Sequence, residues 1–295
     1  MTEPTDASVA PPVERRVEVA PGVFLHAEQW TGERAAVPFV LVHGLASNVR
    51  LWDGVAAYLH ALGHTVVAID QRGHGRSDAP DAGYDLDTAI ADLRALIDAF
   101  RLERPVLAGQ SWGGTVVLEA AWRSPAAVRG IACVDGGVVD LAQSYPEWED
   151  CLAKLTPPAL DHLTLAELES RIRKGVPHFT DDAVRAYLHC FRARADGTIE
   201  ARLARRHHLS ILRSLWEHRP SSRWASLKTP TILMLADSGD QTRTGNKRRA
   251  EAAALAAGGP VRSIWFSPGH HDLHLEFPSR VGELLAVAVR EGFFA

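Results

Sequence analysis

Two kinds of apolar pattern alternate along the chain. Phe39 to His43 (FVLVH), Thr65 to Asp70 (TVVAID), Pro105 to Ala108, Ile131 to Val134, Thr231 to Leu235 and Val261 to Phe266 are short and apolar at nearly every position. Near-continuous apolarity over so few residues predicts strands buried on both faces, as in a parallel sheet. Between these runs, apolar residues recur at helical spacing in Leu51 to Leu62, Thr88 to Phe100, Gly114 to Arg123, Lys247 to Ala257 and Pro278 to Arg290. In the second of these, Ile90, Leu93, Leu96 and Ile97 fall on one face, and Asp85 and Asp87 stand where acidic residues favour a helix start. Near the N-terminus, β-rich Arg16 to Ala20 and Val23 to Trp30 flank the turn pair Pro21-Gly22, so a hairpin opens the sheet.

Strand-helix alternation of this kind predicts an α/β fold: a mostly parallel, eight-stranded sheet with helices on both faces. The rhythm breaks after Asp135. Residues 141–228 hold several helix-like segments and no clear strand, which predicts a helical cap inserted into a core of residues 13–140 and 229–295. Residues 1–12 are polar and proline-containing and lack the basic and apolar regions of a secretory signal; a disordered tail is expected there.

Composition narrows the function classes. At 295 residues, 46% apolar and 23% charged, the chain falls among ordinary globular proteins with room for a large core. Its net charge of −4 gives no reason to expect a nucleic-acid partner, and the basic run Lys247 to Arg249 reads as the solvated face of a helix. Three cysteines at irregular spacing, Cys133, Cys151 and Cys190, argue against a disulfide framework and suit a reducing compartment. Cys133, in a buried strand, is expected to act as a small apolar residue. No stretch approaches the roughly 18 apolar residues of a membrane span, so a cytoplasmic location is expected.

Candidate chemistry enters at Gly109-Gln110-Ser111-Trp112-Gly113, which fits G-x-S-x-G directly after an apolar strand and before a helix. In that setting the serine occupies a strained turn, flanking glycines provide clearance, and the hydroxyl projects above the sheet. Ser111 is the candidate nucleophile, and the backbone N–H of Trp112, the next residue, is a candidate oxyanion donor. A serine hydroxyl needs a base, and the base needs an acceptor to fix its tautomer; in this arrangement both come later in the chain, the acid before the histidine.

His43-Gly44, Asp70 to Ser77 (DQRGHGRS), Gly109 to Gly114 (GQSWGG) and Gly269 to Pro278 (GHHDLHLEFP) together resemble the successive landmarks of the α/β-hydrolase family, from about residue 17 to the end. The resemblance places the catalytic histidine five residues before a glutamate that is itself two before a proline. Counting back from Glu276 and Pro278 gives His271, although a histidine, His270, replaces the usual preceding glycine. For the acid it implies Asp240 in the loop after the penultimate strand, with Asp135, at the end of the strand after the nucleophile's helix, and Asp237 as alternatives. The second oxyanion donor by resemblance is Leu45, after the His-Gly pair. His274 is expected to be structural or pocket-lining, and the Arg72, His74, Asp78 group to be a structural turn.

The expected reaction is acyl-enzyme hydrolysis of a carboxylic ester or lactone of a small molecule, needing no cofactor. A metal set of His270, His271, Asp272 and His274 is disfavoured by its loop setting, so no metal is expected. Serine at the elbow speaks against the branches of the family that need aspartate there. Carbon-carbon bond hydrolysis, haloperoxidase-like chemistry and a non-hydrolytic small-molecule receptor on the same fold are the competing readings. Trp148, Phe179, Tyr187 and Trp216 are candidate pocket-lining aromatics in the cap.

Overall fold

The computed structural model describes residues 11–295, so the tail expected over residues 1–12 lies outside the described residues apart from Pro11 and Pro12. The opening hairpin forms as read: β1 (Val13–Ala20) and β2 (Val23–Trp30) pair antiparallel across a turn in which Gly22 takes φ 71°. There follow β3 (Phe39–Val42), α1 (Asp53–Ala61), β4 (Val66–Ile69), α2 (Leu86–Ala99), β5 (Val106–Gln110), α3 (Trp112–Arg123) and β6 (Gly130–Val134). Asp85 caps α2, its side chain accepting the Thr88 N–H at 2.8 Å.

The strand alternation explains the two-sided sheet. Val40, Val42, Val67, Ile69 and Leu107 point to one face, where they meet α2 and α3. Their neighbours Phe39, Leu41, Val66, Ala68 and Ala108 point to the other and pack on α1 and the C-terminal helix. A side-chain period of two requires both sets to be apolar when both faces are covered, which is why these strands carry no polar alternation.

Residues 141–228 leave the sheet. They hold α4 (Leu141–Ser144), α5 (Trp148–Leu155), α6 (Leu165–Gly175), α7 (Asp181–Leu188), a small separate hairpin of β7 (Phe191–Ala193) and β8 (Ile199–Ala201), and α8 (Arg205–Glu217). The hairpin corrects the expectation of a strand-free segment. Its strands are three residues long, too short for a period to show, and Gly197 at φ 86° is the main local turn signal.

The chain then returns with β9 (Thr231–Ala236), α9 (Gln241–Ala256), β10 (Val261–Phe266), α10 (Leu273–Glu276) and α11 (Pro278–Arg290). The eight-stranded sheet runs β1-β2-β4-β3-β5-β6-β9-β10, with parallel pairing from β4 onward and antiparallel pairing at the β1-β2 edge and between β2 and β4. The carboxyl ends of β3, β5, β6, β9 and β10 therefore open on one side, where an open parallel sheet collects its functional loops.

Candidate active site

Ser111 joins β5 to α3 with φ 51° and ψ −115°. That conformation costs on the order of 1–3 kcal/mol for a residue with a side chain, so its surroundings must impose it. Ser111 N donates to Val134 O at 3.0 Å, tying the turn to β6. A Cβ added to Gly136 would lie 2.1 Å from Ser111 O, a clash between backbones that no side-chain motion relieves. Gly44 approaches from the other side, where an added Cβ would stand 3.1 Å from Ser111 Cβ. The loop after β3 thus lies directly against the serine.

That loop is fixed by two neutral histidines. His43 Nδ1 donates to Gly44 O at 2.7 Å while its Nε2 accepts from Gln71 N at 3.0 Å. His74 Nδ1 donates to Arg72 O at 2.9 Å and its Nε2 accepts from Ala46 N at 3.1 Å. Burial lowers the pKa of both, that of His74 to about 3, so each ring keeps one donor and one acceptor. Arg72 is held in a fork by Asp92 at 2.9 and 2.8 Å, and Asp78 accepts from Phe24 N at 2.9 Å. The Arg72-His74-Asp78 turn is thereby committed to structure, as expected from sequence.

Between these constraints sit the backbone N–H groups of Leu45 and Trp112. Trp112 opens α3 and so has no intrahelical acceptor. Among the described residues, neither N–H finds a backbone partner.

His271 lies in the loop between β10 and α10. Its carbonyl accepts from the side chain of Gln110, the residue before Ser111, at 3.1 Å. Its ring, more than half exposed, places Nδ1 2.7 Å from Asp135 Oδ2. Asp135, at the end of β6, is itself in the left-handed region at φ 45°, and its side chain is only 1% exposed. Its Oδ1 accepts from Ala236 N at 2.9 Å and lies 2.6 Å from Lys247 Nζ, which also donates to Ala236 O at 2.8 Å. Burial pushes the Asp135 carboxyl upward, but the hydrogen bonds and charges of His271 and Lys247 outweigh it and hold the group below its usual value. Desolvation by surrounding protein likewise draws His271 down, and Asp135 overcomes it, leaving the imidazole pKa raised.

The remaining acids are placed elsewhere. Asp240, the first choice from sequence, is the N-cap of α9: its Oδ1 accepts from Thr242 N and Arg243 N, both at 3.0 Å, and its side chain is nearly half exposed. Asp237 accepts from Gly239 N and Thr244 Oγ1, each at 3.1 Å, and from Ser267 Oγ at 3.3 Å. The geometry corrects the order of choice, bringing Asp135 and neither of these to the imidazole. An aspartate that satisfies two orphan N–H groups of a helix start is turned toward that helix.

His270 turns to Glu276, with its N at 2.7 Å and Nδ1 at 3.1 Å from the two carboxylate oxygens. His274 is fully buried, its ring 4.4 Å from that of Trp52, and burial brings its pKa down to about 4. Asp272 accepts from Tyr187 OH at 2.6 Å. The His270-His271-Asp272-His274 set therefore does not converge on one point. Of the four candidate aromatics, Tyr187 reaches the histidine loop directly, whereas Trp148 and Trp216 pack around Arg213, 5.0 and 4.7 Å from its guanidinium. Cys133 is buried, and its thiol is pushed up to about 12.

Lys247 was missed at the sequence level, where it reads as part of a solvated run. Only its depth distinguishes it: the Lys247 side chain is 17% exposed, against 60% for the adjacent Arg248.

The model of the alpha/beta hydrolase fold family matches residues 37–232, which spans β3 through the first residues of β9. The chain belongs to the α/β-hydrolase fold family. Among curated relatives of this α/β hydrolase, a non-heme chloroperoxidase of Streptomyces lividans is 39% identical over 98 residues, 33% of this chain and 35% of that one. A 2-(acetamidomethylene)succinate hydrolase of Mesorhizobium japonicum is 30% identical over 158 residues, 53% of this chain and 49% of that one. The match thus spans at most about half the length of either relative. The thioesterase domain from the curacin biosynthetic pathway superposes with a TM-score of 0.74 over 93% of this chain and 99% of that one, at 21% identity, a likeness of fold. No helix among the described residues is long and apolar enough to cross a membrane.

Proposed function

We propose that this α/β hydrolase cleaves a carboxylic ester or lactone of a small molecule through an acyl-enzyme, with Ser111 as nucleophile, His271 as base and Asp135 as the orienting acid. The observation that carries this reading is the 2.7 Å contact between His271 Nδ1 and a buried, ionised Asp135 carboxylate, in a loop docked on the residue before Ser111. With Nδ1–H donated to Asp135, Nε2 is the basic nitrogen and takes the Ser111 proton as Oγ adds to the carbonyl. The N–H groups of Leu45 and Trp112 receive the developing oxyanion. His271 then protonates the leaving alkoxide, and a water deprotonated by the same Nε2 releases the acid and restores the serine.

Residues 141–228 act as the cap in this reading, covering the site and selecting the substrate. Support comes from their contacts with the catalytic loops: Tyr187 on Asp272, and Asn48 Nδ2 donating to Ala186 O at 2.9 Å. The test is covalent. A fluorophosphonate probe is expected to label Ser111, and Ser111→Ala to remove both labelling and hydrolysis of short aryl esters. Labelling at another residue, or full activity in Ser111→Ala, overturns the assignment.

A further inference from the structure

Outside the proposed triad, one cluster bridges residues 141–228 to the histidine loop. His178, in the turn between α6 and α7, places Nε2 3.2 Å from Glu276 Oε1, and His270 places Nδ1 3.1 Å from the same oxygen. The two imidazoles stack with centroids 4.5 Å apart at 25°. All three ligand atoms lie within 4.8 Å of one another.

Three features of this cluster point to a cation. A tetrahedral zinc ion with bonds of about 2.0–2.1 Å holds its ligand atoms about 3.3 Å apart, close to both observed nitrogen-oxygen separations. Glu276 is 11% exposed, and among the described residues its carboxylate oxygens meet these two imidazoles and the His270 main-chain N–H but no Lys or Arg, so a largely buried carboxyl group has no permanently cationic partner. The second oxygen, Oε2, already accepts from His270 N at 2.7 Å, which fixes the carboxylate with Oε1 directed at the imidazoles. Two imidazoles and one carboxylate suit a borderline ion such as zinc better than magnesium or calcium.

We propose that His178, His270 and Glu276 bind a zinc-like divalent cation, and that the bound ion staples the 176–179 turn to the loop carrying His271. Sequence reading could not assemble this site, because His178 is 92 residues from His270 and only the fold brings them together. The cation replaces any imidazole protons directed at Glu276 Oε1 and leaves one tetrahedral position for water. By restraining the residue next to His271, occupancy slows turnover, a consequence that rests on the triad reading above.

The test titrates zinc chloride into the metal-stripped full chain by calorimetry, follows hydrogen exchange of residues 176–179, and measures aryl ester hydrolysis with and without zinc. One equivalent is expected to bind, with affinity about tenfold or more weaker in both His178→Ala and Glu276→Gln. Exchange in the 176–179 turn slows in the wild type and not in His178→Ala, and zinc slows wild-type hydrolysis while leaving His178→Ala unaffected. Absence of a one-to-one complex up to about 1 mM zinc, or wild-type affinity in both variants, overturns the site. Binding without slowed exchange overturns the staple. Unchanged hydrolysis at saturating zinc overturns the effect on turnover. A chain without esterase activity counts against the proposed function alone, since calorimetry and exchange still decide the site.

Discussion

Asp135 and Asp240 follow neighbouring strands, β6 and β9, and both are candidates for the triad acid in the sequence, yet the two carboxylates have opposite surroundings. Asp135 is buried, bonded to His271, Lys247 and Ala236 N, and seated at a positive φ; Asp240 is half exposed and spends Oδ1 on the start of α9. The difference shows that Gly239-Asp240-Gln241 carries two meanings in sequence. It matches an acid loop, and it also has an N-cap residue at the start of a helix. Here the second meaning is realised. An exposed carboxylate would also orient an imidazole less firmly, because water competes for its oxygens, whereas a desolvated one keeps its full electrostatic hold.

The sharpest way to break this comparison is to remove each negative charge in turn. Asp135→Asn is expected to lower kcat by about 10³- to 10⁴-fold, because an amide no longer fixes the tautomer that leaves Nε2 basic. Steady-state hydrolysis of an aryl ester measures it, and a loss below tenfold would return the role to Asp240.

Another buried carboxylate, Glu119, supplies a scaffold contrast. It is bonded to His218, Arg223 and Arg123, joining α3 to the end of the inserted segment. Burial opposes its ionisation, but these three partners prevail and bring its pKa down to about 2 from 4.5. Because the folded value is depressed, the stabilisation is full above about pH 4.5 and is lost as pH falls from there toward 2, amounting to on the order of 3 kcal/mol. Thermal melts of wild type and Glu119→Gln should converge across that window; an unchanged gap would contradict the assignment.

Lys247→Met leaves Asp135 buried with one cationic partner fewer. Activity is expected to fall about 10- to 100-fold with a loss of about 2 kcal/mol in stability, read by kinetics and urea unfolding. An effect no larger than that of Arg248→Met would show Lys247 to be an ordinary surface residue. The smallest effect belongs to Asp240→Ala, expected to cost about 1 kcal/mol through the lost cap while kcat stays within about threefold of wild type.

The strands buried on both faces, the opening hairpin, the helix over Pro278 to Arg290 and the serine elbow were all legible in the chain, because each is encoded by residues close in sequence. His271, singled out by its spacing from Glu276 and Pro278, is the histidine that meets Asp135. The choice of Asp135, the role of Lys247 and the β7-β8 hairpin were not. Lys247 has the same local signature as its exposed neighbours, and its position under the loop after β9 depends on how α9 packs on the sheet.

Periodicity and the glycine-flanked serine by themselves determined the layer architecture and the strained turn at Ser111, since side-chain period and turn sterics are properties of a short segment. Which carboxylate meets the imidazole was decided by the tertiary structure alone. Desolvation and hydrogen-bond reach depend on groups from β6, α9 and the loop after β10, and these become neighbours only when the sheet is assembled.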